Sequence, residues 1–213
     1  RSGAWMSDYR GQEKLVADIR PIIVNVMNFA KGADGAPTLL SYDDARTLFH
    51  EFGHGLHGLL SDVTYPSIAG TNVARDFVEF PSQLYEHWFE RPEILSRFAV
   101  HYRTGEPMPD ALIGRLKASR SFNQGFATVE YVASALVDMK LHLLKEAQSL
   151  DATRFEKAVL DEIGMPEAMV MRHRTPHFQH VFAGDGYSSA YYSYLWSETL
   201  DADGFRAFEE AGD

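Results

Sequence analysis

Thr47-Leu-Phe-His50-Glu51-Phe-Gly-His54-Gly-Leu-His57 (residues 47–57) decides how the rest of this 213-residue chain is read. Two histidines four apart, with a glutamate directly after the first, make chemical sense together on a helix. Residues i and i+4 there lie about 40° apart around the axis and about 6 Å apart along it. Their imidazoles can converge on one ion at Zn–N distances of about 2.0–2.1 Å. Glu51 then points beside the metal, placed to take a proton from a zinc-bound water. Leu48, Phe49, Phe52, Leu56, Leu59 and Leu60 make the helix apolar on most sides, so it is expected to be substantially buried. Buried His and Glu without partners are costly, and a metal makes their burial tolerable. Gly53 and Gly55 each weaken a helix interior by up to ~1 kcal/mol, a loss that makes sense where another segment or a substrate must pass close.

A catalytic zinc keeps three protein ligands and one open position. His57 shares a face with His54 but diverges in direction from His50, so it reads as a neighbour of the site or a core residue. No further histidine follows at the short spacing of three-histidine zinc peptidases; Gly58 stands where that run would have to develop. The third ligand is therefore sought on a second helix. Asp76-Phe-Val-Glu79-Phe-Pro-Ser-Gln83-Leu-Tyr-Glu86 supplies Glu79, flanked by Phe77, Val78, Phe80 and Pro81. A carboxylate in such apolar company is rarely idle. The two helices are expected to pack side by side, with Glu86 or Gln83 reaching back to His50 or His54; Glu86 is favoured, and Asp76 and Asp43 are the weaker choices.

Outward from this centre, the N-terminal part reads as β and the rest as helix. Residues 21–29 are β-branched with a rough period of two, a strand. Two glycines and a proline make 31–37 a turn, and 38–41 would return as a short second strand. Ser41 or Asp43 is the expected N-cap of a helix running over 45–60. A second helix covers 76–90, kinked or restarted at Pro81. Further helices are expected at 93–102, 110–119, 124–148, 153–163, 188–200 and 202–211. Tyr131, Ala135, Leu136, Met139 and Leu143 recur at helical spacing and read as a core stripe. Phe98, Tyr102 and Met171 read as core as well. The fold class is mainly α, a zincin-like helical subdomain with a small β-hairpin near the N-terminus.

Composition bounds the function. The net charge of −10 argues against a phosphate-backbone partner, and no polybasic run suggests an anionic membrane. No apolar run approaches the ~18 residues of a membrane span. Cysteine is absent, which excludes disulfides and zinc-thiolate sites. The expected location is the cytoplasm, with the periplasm as the alternative. Arg1-Ser-Gly-Ala-Trp-Met has no initiator methionine, so residues 1–213 are read as a single catalytic subdomain of a longer chain.

His-Glu-Phe-Gly-His, followed 25 residues after its second histidine by the Glu of Phe-Val-Glu-Phe-Pro-Ser-Gln, resembles the thimet oligopeptidase (M3) family of zinc peptidases. The resemblance covers essentially the whole chain. Residues 41–46, 70–80 and 86–88 are most similar to the family's bacterial peptidyl-dipeptidases. It implies one Zn2+ held by His50, His54 and Glu79, Glu51 as general base, and short peptides as substrates, losing dipeptides from their C-termini. An endo-acting oligopeptidase of the same family, or a zinc-binding fragment without activity, is the alternative.

The same resemblance gives a role to His180-Val-Phe-Ala-Gly-Asp-Gly-Tyr187-Ser-Ser-Ala-Tyr191-Tyr-Ser-Tyr194. Phenol hydroxyls suit the oxyanion of a tetrahedral intermediate. By similarity to the family, Tyr191 and Tyr194 would donate there, with His180 and Tyr187 contacting substrate. Tyr187, Tyr191, Tyr194 and Glu198 would form one stripe of one helix, behind a glycine-containing loop able to move over a substrate. Release of dipeptides needs a cation for the substrate's C-terminal carboxylate; Arg75 and Arg103 are the candidates, although each also reads as an ordinary surface residue. Family members are several times longer than this chain, so the resemblance implies a C-terminal catalytic fragment.

Overall fold

The computed structural model describes residues 3–146 and 149–212. Two antiparallel strands, β1 (Ala4–Arg10) and β2 (Ile22–Met27), precede α1 (Tyr42–Leu59), α2 (Arg75–Val78), α3 (Phe80–Phe89) and α4 (Pro92–Phe98). Then come α5 (Asp110–Ser119), α6 (Gln124–His142), α7 (Ala152–Glu162), α8 (Gln179–Phe182) and α9 (Ser193–Ala211). The protein is thus mainly helical with a small sheet near its N-terminus, as the sequence implies. The chain divides into two compact units, Arg1–Met108 with Leu195–Asp213, and Pro109–Tyr194. No helix among the described residues is long and apolar enough to cross a membrane.

In the first unit β1 and β2 pair from Ala4↔Met27 to Arg10↔Ile22, with an irregularity between Asp8 and Arg10. The partner of β2 is therefore β1, and the return strand expected at 38–41 does not form. Those residues lead into α1 instead. Ser41 takes the N-cap: its side chain accepts from the Asp44 N–H, and the Asp44 carboxylate accepts from the Ser41 N–H. This reciprocal pair satisfies two free donors of the first turn and commits the backbone to helix. Leu39 and Leu40 stand exposed beside it.

The buried face of α1 is not the expected apolar flank. Leu48, Phe52, Leu59 and Leu60 are exposed, whereas Glu51, Gly53, Gly55 and Gly58 are buried. A Cβ on Gly53 would lie 2.6 Å from the Pro81 carbonyl oxygen and 2.6 Å from Ser82 Cα; one on Gly58 would lie 2.7 Å from Ile23 Cδ1. Missing side chains let α3 and β2 approach α1 more closely than any other residue would allow. Pro81 cannot donate a helical hydrogen bond, so the second helix restarts there. Glu79 closes α2 and opens α3. The later part of α9 packs on α3: His87 Nε2 meets Asp201 Oδ1 at 2.8 Å, the Trp88 ring abuts Phe205 and Phe208, and Ser197 donates to the Asp76 carbonyl at 2.9 Å.

α4 ends earlier than the pattern suggests. Ala99 turns out of helix, and a loop closed by Val100 against Pro107, with Gly105 at φ +75°, replaces the expected last turn. Phe98 and Tyr102 are exposed rather than core.

In the second unit Ala133, Val137, Val159, Met171, Phe178, Val181 and Tyr191 form the core. The buried stripe of α6 is rotated from the expected one. It carries Ala133, Ser134, Val137 and Asp138, while Leu136 and Leu143 are exposed. α6 ends at His142, where the final turn tightens onto the Leu141 carbonyl; Gln148 lies outside the described residues. At the C-terminal end the expected helices 188–200 and 202–211 are one, beginning at Ser193. Residues 187–192 form turns, so Tyr187 and Tyr191 precede the helix that starts with Ser193 and Tyr194.

Candidate metal centre

α1 carries His50, Glu51 and His54 one turn apart, and the junction of α2 and α3 brings Glu79 to them. Glu79 is 1% exposed. Its Oε2 lies 3.3 Å from His50 Nε2 and 3.2 Å from His54 Nε2. The two imidazoles stand perpendicular, with centroids 4.9 Å apart. These separations exceed the 2.7–2.9 Å usual for a charge-assisted hydrogen bond. They match the edge of a tetrahedron whose centre sits about 2.0–2.1 Å from each ligand atom, roughly 3.3 Å. Among the described residues, His50, His54 and Glu79 form the group of His and carboxylate side chains able to hold a metal ion. The residues therefore fit a divalent metal.

Two of the three candidate ligands are held by further hydrogen bonds, whereas His54 Nδ1 is buried without one. His50 Nδ1 lies 2.7 Å from Glu86 Oε1, about two helical turns beyond Glu79 on α3. Arg46 Nε donates to Glu86 Oε2 at 2.5 Å. Ser82 donates to the Glu79 side chain at 3.1 Å and to its carbonyl at 2.9 Å. A ligating imidazole whose other nitrogen serves a carboxylate has its tautomer and ring orientation fixed. Arg46 was not singled out in the sequence, although it sits four residues before His50 and hence on the same face of α1.

Electrostatics separate the roles. Burial lowers the His50 pKa, but hydrogen bonds to Glu79 and Glu86 outweigh it and raise the value to about 10. Burial pushes Glu79 up, yet its hydrogen bonds to His50 and His54 hold it well below the usual carboxylate range. Glu51 differs from both. Desolvation raises its pKa, only partly countered by the charges of His50 and His54 and by a backbone hydrogen bond from Met6. Its Oε2 is buried without a protein partner. A desolvated carboxylate with a vacant lone pair beside the candidate ligands is equipped to accept a proton. Burial lowers the His57 pKa, and its ring faces Phe77 at 6.3 Å rather than joining the ligand set.

The second unit holds His180, Tyr187, Tyr191 and Tyr194. His180 Nε2 lies 2.7 Å from the Tyr194 hydroxyl. Tyr187 stacks on Tyr194 at 5.6 Å, and Tyr191 meets the His180 ring edge-on at 5.6 Å. Tyr191 is buried, which raises the pKa of its phenol. Arg103 is exposed, with its guanidinium over the Tyr102 ring. Arg75 opens α2.

A helix-borne His-Glu-x-x-His whose imidazoles meet a carboxylate from a second helix defines a class, the metallopeptidases built on that motif. Comparison narrows the class to one family. The chain belongs to Peptidase family M3, whose model matches residues 1–213. It is 43% identical to the dipeptidyl carboxypeptidase of Escherichia coli over 213 residues, 99% of this chain and 31% of that protein. The dipeptidyl carboxypeptidase of Salmonella typhimurium is 44% identical over the same share of each. Oligopeptidase A of Escherichia coli is 37% identical over 220 residues, covering 100% of this chain and 32% of that protein. The chain thus spans about a third of the length of these relatives.

Proposed function

We propose that this chain is the catalytic subdomain of a zinc peptidase that removes dipeptides from the C-termini of short peptides. His50, His54 and Glu79 would hold the zinc. Bound there, the ion would supply a Lewis acid that brings the pKa of water to ~7. Glu51 takes the proton of the attacking water and passes it toward the leaving amine; its raised pKa suits both halves of that exchange. Glu86, held by Arg46, keeps His50 in the ligating tautomer. Tyr191 and Tyr194 would donate to the oxyanion, and His180 and Tyr187 would contact the peptide.

The observation that carries this reading is the meeting of both Nε2 atoms with one oxygen of a buried glutamate, beside a desolvated second glutamate. The direct experiment is Glu51→Gln in the full-length protein. Bound zinc should stay at the wild-type level while turnover falls at least ~10²-fold, the usual scale of a general base. Near-normal turnover would remove Glu51 from the mechanism. Greater identity to dipeptidyl carboxypeptidases than to oligopeptidase A favours exo-action over endo-action. A peptide with a free C-terminal acid should then be cut much faster than its amide.

A further inference from the structure

Tyr191 lies in the turns that precede α9, so helical hydrogen bonding does not fix its backbone. α6 does so instead. The Tyr191 N–H donates to Asp138 Oδ2 at 3.0 Å, and its carbonyl accepts from the Tyr131 hydroxyl. Two residues earlier the Ser189 N–H donates to the other oxygen, Asp138 Oδ1, at 3.0 Å. Asp138 is 2% exposed, and His142 places Nδ1 2.8 Å from the same Oδ1. Tyr131, Asp138 and His142 fall at i, i+7 and i+11, along one face of α6.

Ser189, the first residue of the gripped pair, has φ +60°. That left-handed conformation is strained for a residue with a side chain and persists only where the surroundings over-determine it. Two amides bound to the two oxygens of one buried carboxylate supply that constraint. A buried carboxylate is itself expensive unless its oxygens find donors, and the Ser189 and Tyr191 N–H groups supply one to each oxygen. The neighbouring aromatic groups depend on the same hold, because Tyr191 packs against His180 and Tyr194.

We propose that Asp138 is a positioning residue: by gripping the Ser189 and Tyr191 amides it fixes where the Tyr191 phenol points. The inference rests on the reading of Tyr191 as an oxyanion donor, and the test separates the two. In the full-length, zinc-loaded protein, Asp138→Asn keeps the shape but turns an NH2 donor toward one of the two amide donors. The kcat for a quenched fluorogenic peptide should fall about tenfold with KM within about twofold, the pattern of a lost transition-state contact. Zinc content should not change, and hydrogen exchange at Ser189 and Tyr191 should quicken at least about tenfold. Because Asp138 acts through Tyr191, the double variant with Tyr191→Phe should be no slower than Tyr191→Phe alone, within about twofold. Additive losses, or unaltered exchange at those amides, would overturn the proposal. Wild-type kcat in Tyr191→Phe would instead overturn the oxyanion reading beneath it, and the exchange data would show that the grip itself is real. Should Asp138→Asn fail to fold, Tyr131→Phe removes a single hydroxyl from the Tyr191 carbonyl. A kcat loss of about threefold that vanishes in the Tyr191→Phe background supports the proposal, and an unchanged kcat overturns it.

Discussion

Glu86 shows most clearly how one side chain governs another. It touches no candidate substrate position, yet it fixes the His50 ring and is in turn fixed by Arg46. Glu86→Ala should weaken zinc binding about 10–100-fold, read by competition with a chromophoric chelator. Acid should blur the difference. Burial raises the Glu86 pKa, but His50 and Arg46 more than reverse this and leave it lowered in the folded protein. Its stabilisation is therefore complete above the unfolded value of about 4.3 and drains as pH falls through the lower folded value. Urea melts of wild type and Glu86→Ala should lie apart at neutral pH and converge in acid. At this scale the sequence was highly legible. Spacing alone pairs His50 with His54, and apolar neighbours single out Glu79. The environment of Glu51 was not legible, because Met6 sits on a strand that the pattern did not reveal.

Among the helices, glycine chemistry decides the packing. Gly53→Ala would drive a methyl into the Pro81 carbonyl and Ser82 backbone. It should cost about 1–3 kcal/mol in a denaturant titration and reduce zinc affinity, because α3 carries Glu79 and Glu86. Gly114, inside α5 with open space around its Cα, is the control. There alanine should stabilise by about 0.4–1 kcal/mol, since it restricts the unfolded chain and meets no neighbour. Gly53 was readable as a close approach; what approached was not. Other elements misled for local reasons. Thr38-Leu-Leu-Ser41 has strand-like residues, but the capping pair of Ser41 and Asp44 claims its end for α1. The stripe of α6 was misplaced because apolar spacing cannot anticipate that Asp138 belongs inside. The start of α9 was misplaced for a related reason: the amides of residues 189 and 191 bond to that aspartate instead of to helical carbonyls.

Across the whole molecule, a single zinc ion per chain is the expected stoichiometry by elemental analysis. Zinc at about 1,000 times its dissociation constant should stabilise the folded state by about 4 kcal/mol. The gain should register as a raised melting temperature, reversed by a chelator and missing in Glu79→Ala. Family membership was legible throughout because the motif and the Glu79 segment lie at fixed spacing. The division into two compact units was not read from the sequence, although the turn residues Gly105, Pro107 and Pro109 stand at its first boundary.

Glu51 owes its raised pKa to burial, and β1 packs on α1, so that acidity is an outcome of folding rather than of the motif alone. In a partly folded chain residues 42–59 can coil transiently, although an isolated helix of that length is marginal without tertiary packing. Such a chain already displays both histidines. Its glutamate, however, stays hydrated and ordinary in acidity until β1 has docked, and His50 stays unsupported until α3 arrives. A half-made or half-unfolded molecule would thus display both histidines without the desolvated glutamate beside them.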